Sequence, residues 1–252
     1  MLLLLPFQLG ARSLEWLSTR PALCAPLCQI ADETLGPLLQ PEAIPPALAL
    51  LRAIAMIPGG GGALLREHTP TALSRLAELV ARDTSDNALR VSVMHTLADI
   101  VHGASATHDD AAAVGGMLHP HVDALIPELG RLARLPFTDV KHAAHHLLEA
   151  LGARPWALPA LCEAPGLLDQ LLDAEAAVAE ELEDRQWRYS VLRAILSCEG
   201  AEGIVGARAV SHTTAPERRP LSTGIAVQFL VESCRICGAA TGVLSCLSVS
   251  SL

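Results

Sequence analysis

The sequence predicts an all-α chain of stacked helical repeats, on three observations. Its composition is 51% hydrophobic but only 3% aromatic, with Ala and Leu dominant. Small aliphatics suit helices packed closely on helices better than a β-sandwich. Apolar residues recur at three- and four-residue spacing through most of the chain, the pattern of helices with one buried face. Similar segments then return at an interval. LLRAIAMIPGGGGALLREHTPTALSRLAEL (50–79) resembles LLEALGARPWALPALCEAPGLLDQLL (147–172). ALRVSVMHTLADIV (88–101) resembles both DVKHAAHHLLEALG (139–152) and RQWRYSVLRAIL (185–196). His95 aligns with His145, and about two intervals on with Arg193. A helical period of roughly 45–50 residues lies in the HEAT/armadillo range. Repeats of that kind stack into a solenoid, because no single repeat buries its own apolar face.

The elements follow in order. A first helix is expected over Gln8–Ser18, a second near Leu23–Leu39 and a third over Pro45–Met56. PGGGG at 58–62 breaks the chain and reads as a flexible inter-helix loop. Leu73, Leu76, Leu79 and Val80 mark an amphipathic helix, Asp83–Asn87 a turn, and Leu89–Val101 another helix. A loop of small and polar residues covers 103–109. Helices resume over 111–134 and 138–151, and ARPW breaks them. Short helices near 157–163 and 166–173 come next, and a last one spans Asp184–Ser197. Between Asp169 and Asp184 there are seven acidic residues and no basic one, which reads as a solvated helix end or loop. The segment from 199 to 252 loses the helical period and is rich in Gly, Ser, Thr, Ala and Cys. The chain therefore divides into a repeat domain over 1–198 and a tail over 199–252, expected to be loosely ordered.

Charge and cysteine content narrow the function classes. With 18 Lys and Arg against 27 Asp and Glu, the net charge is −9, which repels phosphate backbones and disfavours nucleic acid as a partner. Seven scattered Cys form no disulfide framework, so a reducing compartment is expected, the cytoplasm or else the nucleus. The opening MLLLLPFQLG lacks a positive leading region and is broken at Pro6, so no signal sequence is expected. No apolar run approaches the ~18 residues that span a bilayer, and no membrane partner is expected.

Few residues suggest chemistry. Within LPFTDVKHAAHHLLEALGARPW (135–156), Val140, Ala143, Ala144, Leu147, Leu148 and Leu151 form the buried stripe of one helix. Lys141, His142, His145, His146 and Glu149 are left for its polar face. The three histidines His142, His145 and His146 allow an alternative, a metal-dependent enzyme. A zinc site, however, needs three or four ligands, and neither HExxH nor a nearby Cys is present. PGGGG lacks the GK[ST] of a phosphate loop. Cys234 and Cys237 form a lone CxxC without a second pair, and Cys24 and Cys28, four apart on a helix, are expected to pack as small apolar residues. No nucleophile signature appears. Neither catalysis nor a cofactor is expected. The repeat instead places His95, His145 and Arg193 in one phase and Asp99 and Glu149 in another. Stacked in register, these five make a candidate protein-binding face.

The ordered landmarks also carry a resemblance. Pro136-Phe137 at a helix start, the Pro155-Trp156 turn, the Ala164-Pro165-Gly166 turn and Arg188-Tyr189 resemble, in that order, the C-terminal part of the proteasome non-ATPase regulatory subunit 5 family. The likeness covers about 46–197 and, more weakly, 8–45. It implies a HEAT/armadillo-like solenoid acting as an assembly chaperone, without catalysis or cofactor. Its implied partners are ATPase subunits of the proteasome regulatory-particle base, held through their C-terminal domains. Members of that family are longer, so N-terminal repeats are expected to be missing here, and the tail departs from the family pattern.

Overall fold

Local chemistry sets most helix boundaries in the computed structural model, which describes residues 20–35, 43–57, 59–82, 86–104, 107–172, 181–199 and 201. The helix expected at 8–18 and the tail beyond 201 lie outside these residues. Helix α1 runs over Pro21–Thr34, shorter than expected, and the Leu35 N–H closes it on the Ala31 and Glu33 carbonyls. Helix α2 covers Ile44–Ala55, opening with Pro45 and Pro46, where a missing N–H costs nothing. Helices α3 (Gly61–His68) and α4 (Ala72–Ala81) complete the unit.

Helix α5 spans Asn87–Gly103, and the Asp86 carboxylate caps it by accepting from the Leu89 N–H at 2.9 Å. Helix α6 spans His108–Leu118. The Thr107 hydroxyl accepts from the Asp110 N–H at 3.1 Å and donates to the Asp110 carboxylate at 2.7 Å, a reciprocal cap. The helix expected over 111–134 is two helices. Pro120 sits in a 3₁₀ turn at His119–His121, beyond which α7 begins, covering Val122–Leu132. Proline supplies no N–H for a continuing α-ladder, so the chain changes direction there. Helix α8 is Thr138–Gly152, α9 Leu158–Glu163, α10 Leu167–Leu172 and α11 Leu182–Ser197.

These helices group in threes: α2–α3–α4, α5–α6–α7, α8–α9–α10, then α11. The leading helices begin at Ile44, Asn87, Thr138 and Leu182. They pack side by side in one row, α2 on α5 on α8 on α11. Behind that row α3 packs on α6, α4 on α7, and α7 on α9, while α1 covers α2 and α3. The expected all-α helical-repeat solenoid is borne out.

One continuous core joins the repeats. Val93, Leu97 and Ile100 of α5 and Leu147, Leu148 and Leu151 of α8 are fully buried. Ala98, Ala143, Ala144 and Ala150 are also fully buried, small enough for neighbouring helices to approach closely. Polar groups stitch the layers together. The Asp32 carboxylate on α1 accepts from the backbone of Thr71 at 3.2 Å and of Ala72 at 2.7 Å, capping α4 from outside. Arg154 donates to the Val101 carbonyl at 3.0 Å, closing the end of α5 from the following repeat.

The glycine run is not a flexible loop. Gly61 and Gly62 are buried and already helical. A Cβ on Gly61 would lie 2.4 Å from the Ile54 carbonyl oxygen, and one on Gly62 would lie 2.6 Å from the Asp110 carbonyl oxygen. The absent side chains let the start of α3 wedge between α2 and α6, where the Ala63 N–H donates to Asp110 at 3.2 Å.

Candidate functional site

The row of leading helices turns equivalent positions into one surface. Arg52 of α2 reaches Asp99 of α5 with an N–O distance of 2.5 Å. Beside this bridge lies a groove of about 400 Å³, lined by Pro45, Leu48 and Arg52 from α2, Ser92, His95 and Asp99 from α5, and His146 from α8.

Histidine rings fill the next interface. His95, Asp99 and His102 follow each other at four and three residues and share one side of α5. His142 and His146 share one side of α8. The Nδ1 atoms of His95 and His146 are 3.1 Å apart. One ring must donate and the other accept, so at least one is neutral. His102 stacks on His146 with centroids 5.6 Å apart and planes 26° apart. Burial pushes the His95 and His146 pKa values down; Asp99 pulls both upward, while Arg52 adds to the lowering. Both rings are therefore neutral at pH 7, and two imidazoliums at this spacing would repel.

On the far side of α8, Trp187 of α11 lies 5.8 Å from the His142 ring and 5.7 Å from the His146 ring. Asp184, one turn earlier, accepts from Lys141 at 2.7 Å and from the His142 Nε2–H at 2.9 Å. Burial tends to raise the Asp184 pKa, but the hydrogen bonds from Lys141 and His142 outweigh it and the net shift is downward. At the end of the acidic run Glu181 and Glu183 are exposed as expected, but the Asp184 side chain is 14% exposed and holds α11 to α8.

The five expected face residues separate. His95 and Asp99 line the groove. His145 does not: it is 5% exposed, with its Nδ1–H donated to the Lys141 carbonyl at 3.0 Å. Burial drives its pKa down to about 4; the Lys141 carbonyl and Asp184 resist, and Arg188 and His142 add to the lowering. The error is one of register. His95 meets His146, an offset of 51 rather than 50 positions, and one residue is a 100° turn of the helix. Glu149 is half-buried on α8, and Arg193 is exposed on α11. The α11 residues that reach the histidines are Asp184 and Trp187 instead.

Arg52, His102 and Trp187 are the members that sequence reasoning missed, and His146 entered it on the polar face of α8 and in the metal alternative but not among the five face residues. Aligning helix starts, Asn87 with Thr138, would have paired His95 with His146. Nothing in the local sequence pointed to Arg52.

The metal alternative fails on geometry. His142 turns to Asp184, His145 to a backbone carbonyl and His146 to His95, so the three do not converge. Among the described residues no three His, Cys, Asp or Glu are grouped to hold a metal ion. Cys24 and Cys28 are buried as expected, and burial pushes the Cys28 thiol up to about 12. The CxxC at 234–237 lies outside the described residues. No helix among the described residues is long and apolar enough to cross a membrane.

Three-helix repeats, one shared core and a continuous row of leading helices define an α-solenoid repeat protein. The model of the proteasome non-ATPase 26S subunit family matches residues 47–211, most of the chain, and the chain belongs to that family. The crystal structure of an engineered protein is similar in fold, with a TM-score of 0.53 and 16% identity over 89% of this chain and 90% of that one. No curated protein matches the chain.

Proposed function

We propose that this chain is a chaperone in assembly of the proteasome regulatory-particle base, holding the C-terminal domain of a proteasomal ATPase subunit on the row α2–α5–α8–α11. Family membership supports the proteasome setting. The observation that favours this face is the groove between α2 and α5, where exposed Pro45 lies beside charged Arg52 and Asp99 and buried Leu48 contributes to the lining. Apolar anchors supply most of the affinity at such a surface, and charges set orientation and association rate. The Arg52 side chain is 48% exposed, so it can meet a partner carboxylate while bridging Asp99. The action is steric: a held domain is kept from premature contacts. No catalytic step and no cofactor are assigned. The setting is the cytoplasm, or the nucleus, where proteasomes would be built; neither nucleic acid nor membrane is a partner.

The test is a calorimetric titration of the chain with each isolated ATPase C-terminal domain. Saturable binding to one domain, weakened at least about tenfold by Ser92→Arg or Arg52→Glu, is expected, since filling a groove or reversing a contact charge costs about 1.4 kcal/mol or more. No binding by a chain with intact helical content would favour a general helical-repeat scaffold with another partner.

A further inference from the structure

Lys141 is the only lysine in the chain; arginine makes up the other 17 of its 18 Lys and Arg residues. Guanidinium groups stay protonated and do not accept acyl groups, whereas the lysine amine is the acceptor in acetylation and ubiquitin conjugation. Every acylation that forms a side-chain amide on lysine must therefore occur at one atom, Lys141 Nζ.

That atom is held. It lies 2.7 Å from the Asp184 Oδ2, in a contact where the two side chains are 22% and 14% exposed. His142 grips the other carboxylate oxygen at 2.9 Å, so Asp184 cannot swing away alone. The Lys141 backbone is also fixed: its N–H donates to the Phe137 carbonyl at 2.9 Å, and its carbonyl accepts from His145 at 3.0 Å. Asp184 lies in the first turn of α11, the helix that covers α8.

We propose that Lys141 is a conditional acyl-acceptor site, closed to thioester donors while α11 is docked and opened when the first turn of α11 leaves α8. In the reaction the deprotonated amine attacks the thioester carbonyl. The C–N bond forms, the C–S bond breaks, and one of the two amine protons leaves on the departing thiol while the other stays as the amide N–H; the third proton of the original ammonium has already passed to solvent. The attack needs an Nζ with room for a tetrahedral carbon beside it, and the Asp184 contact at 2.7 Å takes up that room. Once the amide has formed, the charge that held Asp184 is gone, so α11 cannot re-form the bridge. Acylated Lys141 thus marks a chain in which the first turn of α11 has come away from α8. The inference does not depend on the proteasomal reading.

The probe is the N-hydroxysuccinimide ester of acetic acid, with acylation of the Lys141 peptide followed by mass spectrometry. In the folded chain Lys141 should react at least about tenfold more slowly than in the urea-unfolded chain, as expected of a site reached only by local opening. Asp184→Asn, which keeps the shape and removes the charge, should recover much of the unfolded rate. Lys141→Arg should leave the α-amine as the only group that forms an amide. An acetyl thioester and a ubiquitin-loaded conjugating enzyme, each offered to the Asp184→Asn chain, distinguish a small donor from a protein donor. Equal rates in the folded and unfolded wild-type chain overturn the proposal, a comparison that needs no variant to fold. So does an Asp184→Asn chain of unchanged helicity that reacts no faster than wild type.

Discussion

His145 shows how much one residue's burial decides. Read as a face residue, it is instead a neutral imidazole inside the repeat, and this makes the fold acid-sensitive. Its folded pKa, about 4, lies below the ordinary 6.5. The unfolded chain therefore binds the proton first as pH falls. Stability is complete above pH 6.5 and declines through the window from 6.5 to 4, by about 2 kcal/mol at pH 5 from this group alone. His95 and His146 are shifted in the same direction and add to the loss. Urea unfolding at pH 7 and pH 5 checks this. The midpoint should fall on acidification, and His145→Gln, which can still donate to the Lys141 carbonyl, should fall less. An equal drop in both proteins would contradict the assignment. The sequence could not reveal it, because a histidine beside the buried stripe and one on it differ by a single step of a helix.

At the scale of elements, periodic segments were legible and punctuation was not. The 3.6-residue spacing of Leu and Val in α4, α5 and α8 located them closely, since burial of one face enforces that spacing. Pro120 does not read as a break, because the apolar pattern continues on both sides of it. PGGGG looked like a linker because a sequence shows that glycine lacks a side chain but not what occupies the vacated space. Gly62→Ala tests this. Its Cβ would meet the Asp110 backbone at 2.6 Å, so α3 or α6 must shift, at a cost of about 1–3 kcal/mol as in other overpacked sites. Gly116→Ala is the control: it is helical with nothing within 4 Å of a Cβ, and should stabilise by about 0.5–1 kcal/mol. Thermal melts of the two variants should move in opposite directions.

At the scale of the whole molecule, the repeat length of HEAT/armadillo type was readable from the return of similar segments, and the row α2–α5–α8–α11 is its consequence. The face on that row was only half readable. His95 and Asp99 were found, but their partners Arg52 and His146 come from other repeats, and a sequence offset fixes neither distance nor rotation. We propose that this row binds the C-terminal domain of a proteasomal ATPase. Hydrogen exchange of the full chain, with and without that domain, tests it most directly. Added protection is expected in peptides from α2, α5 and α8 around Arg52, His95 and His146, with α3, α6 and α9 unchanged. Protection confined to α3, α6 or α9 while the domain is bound would contradict it.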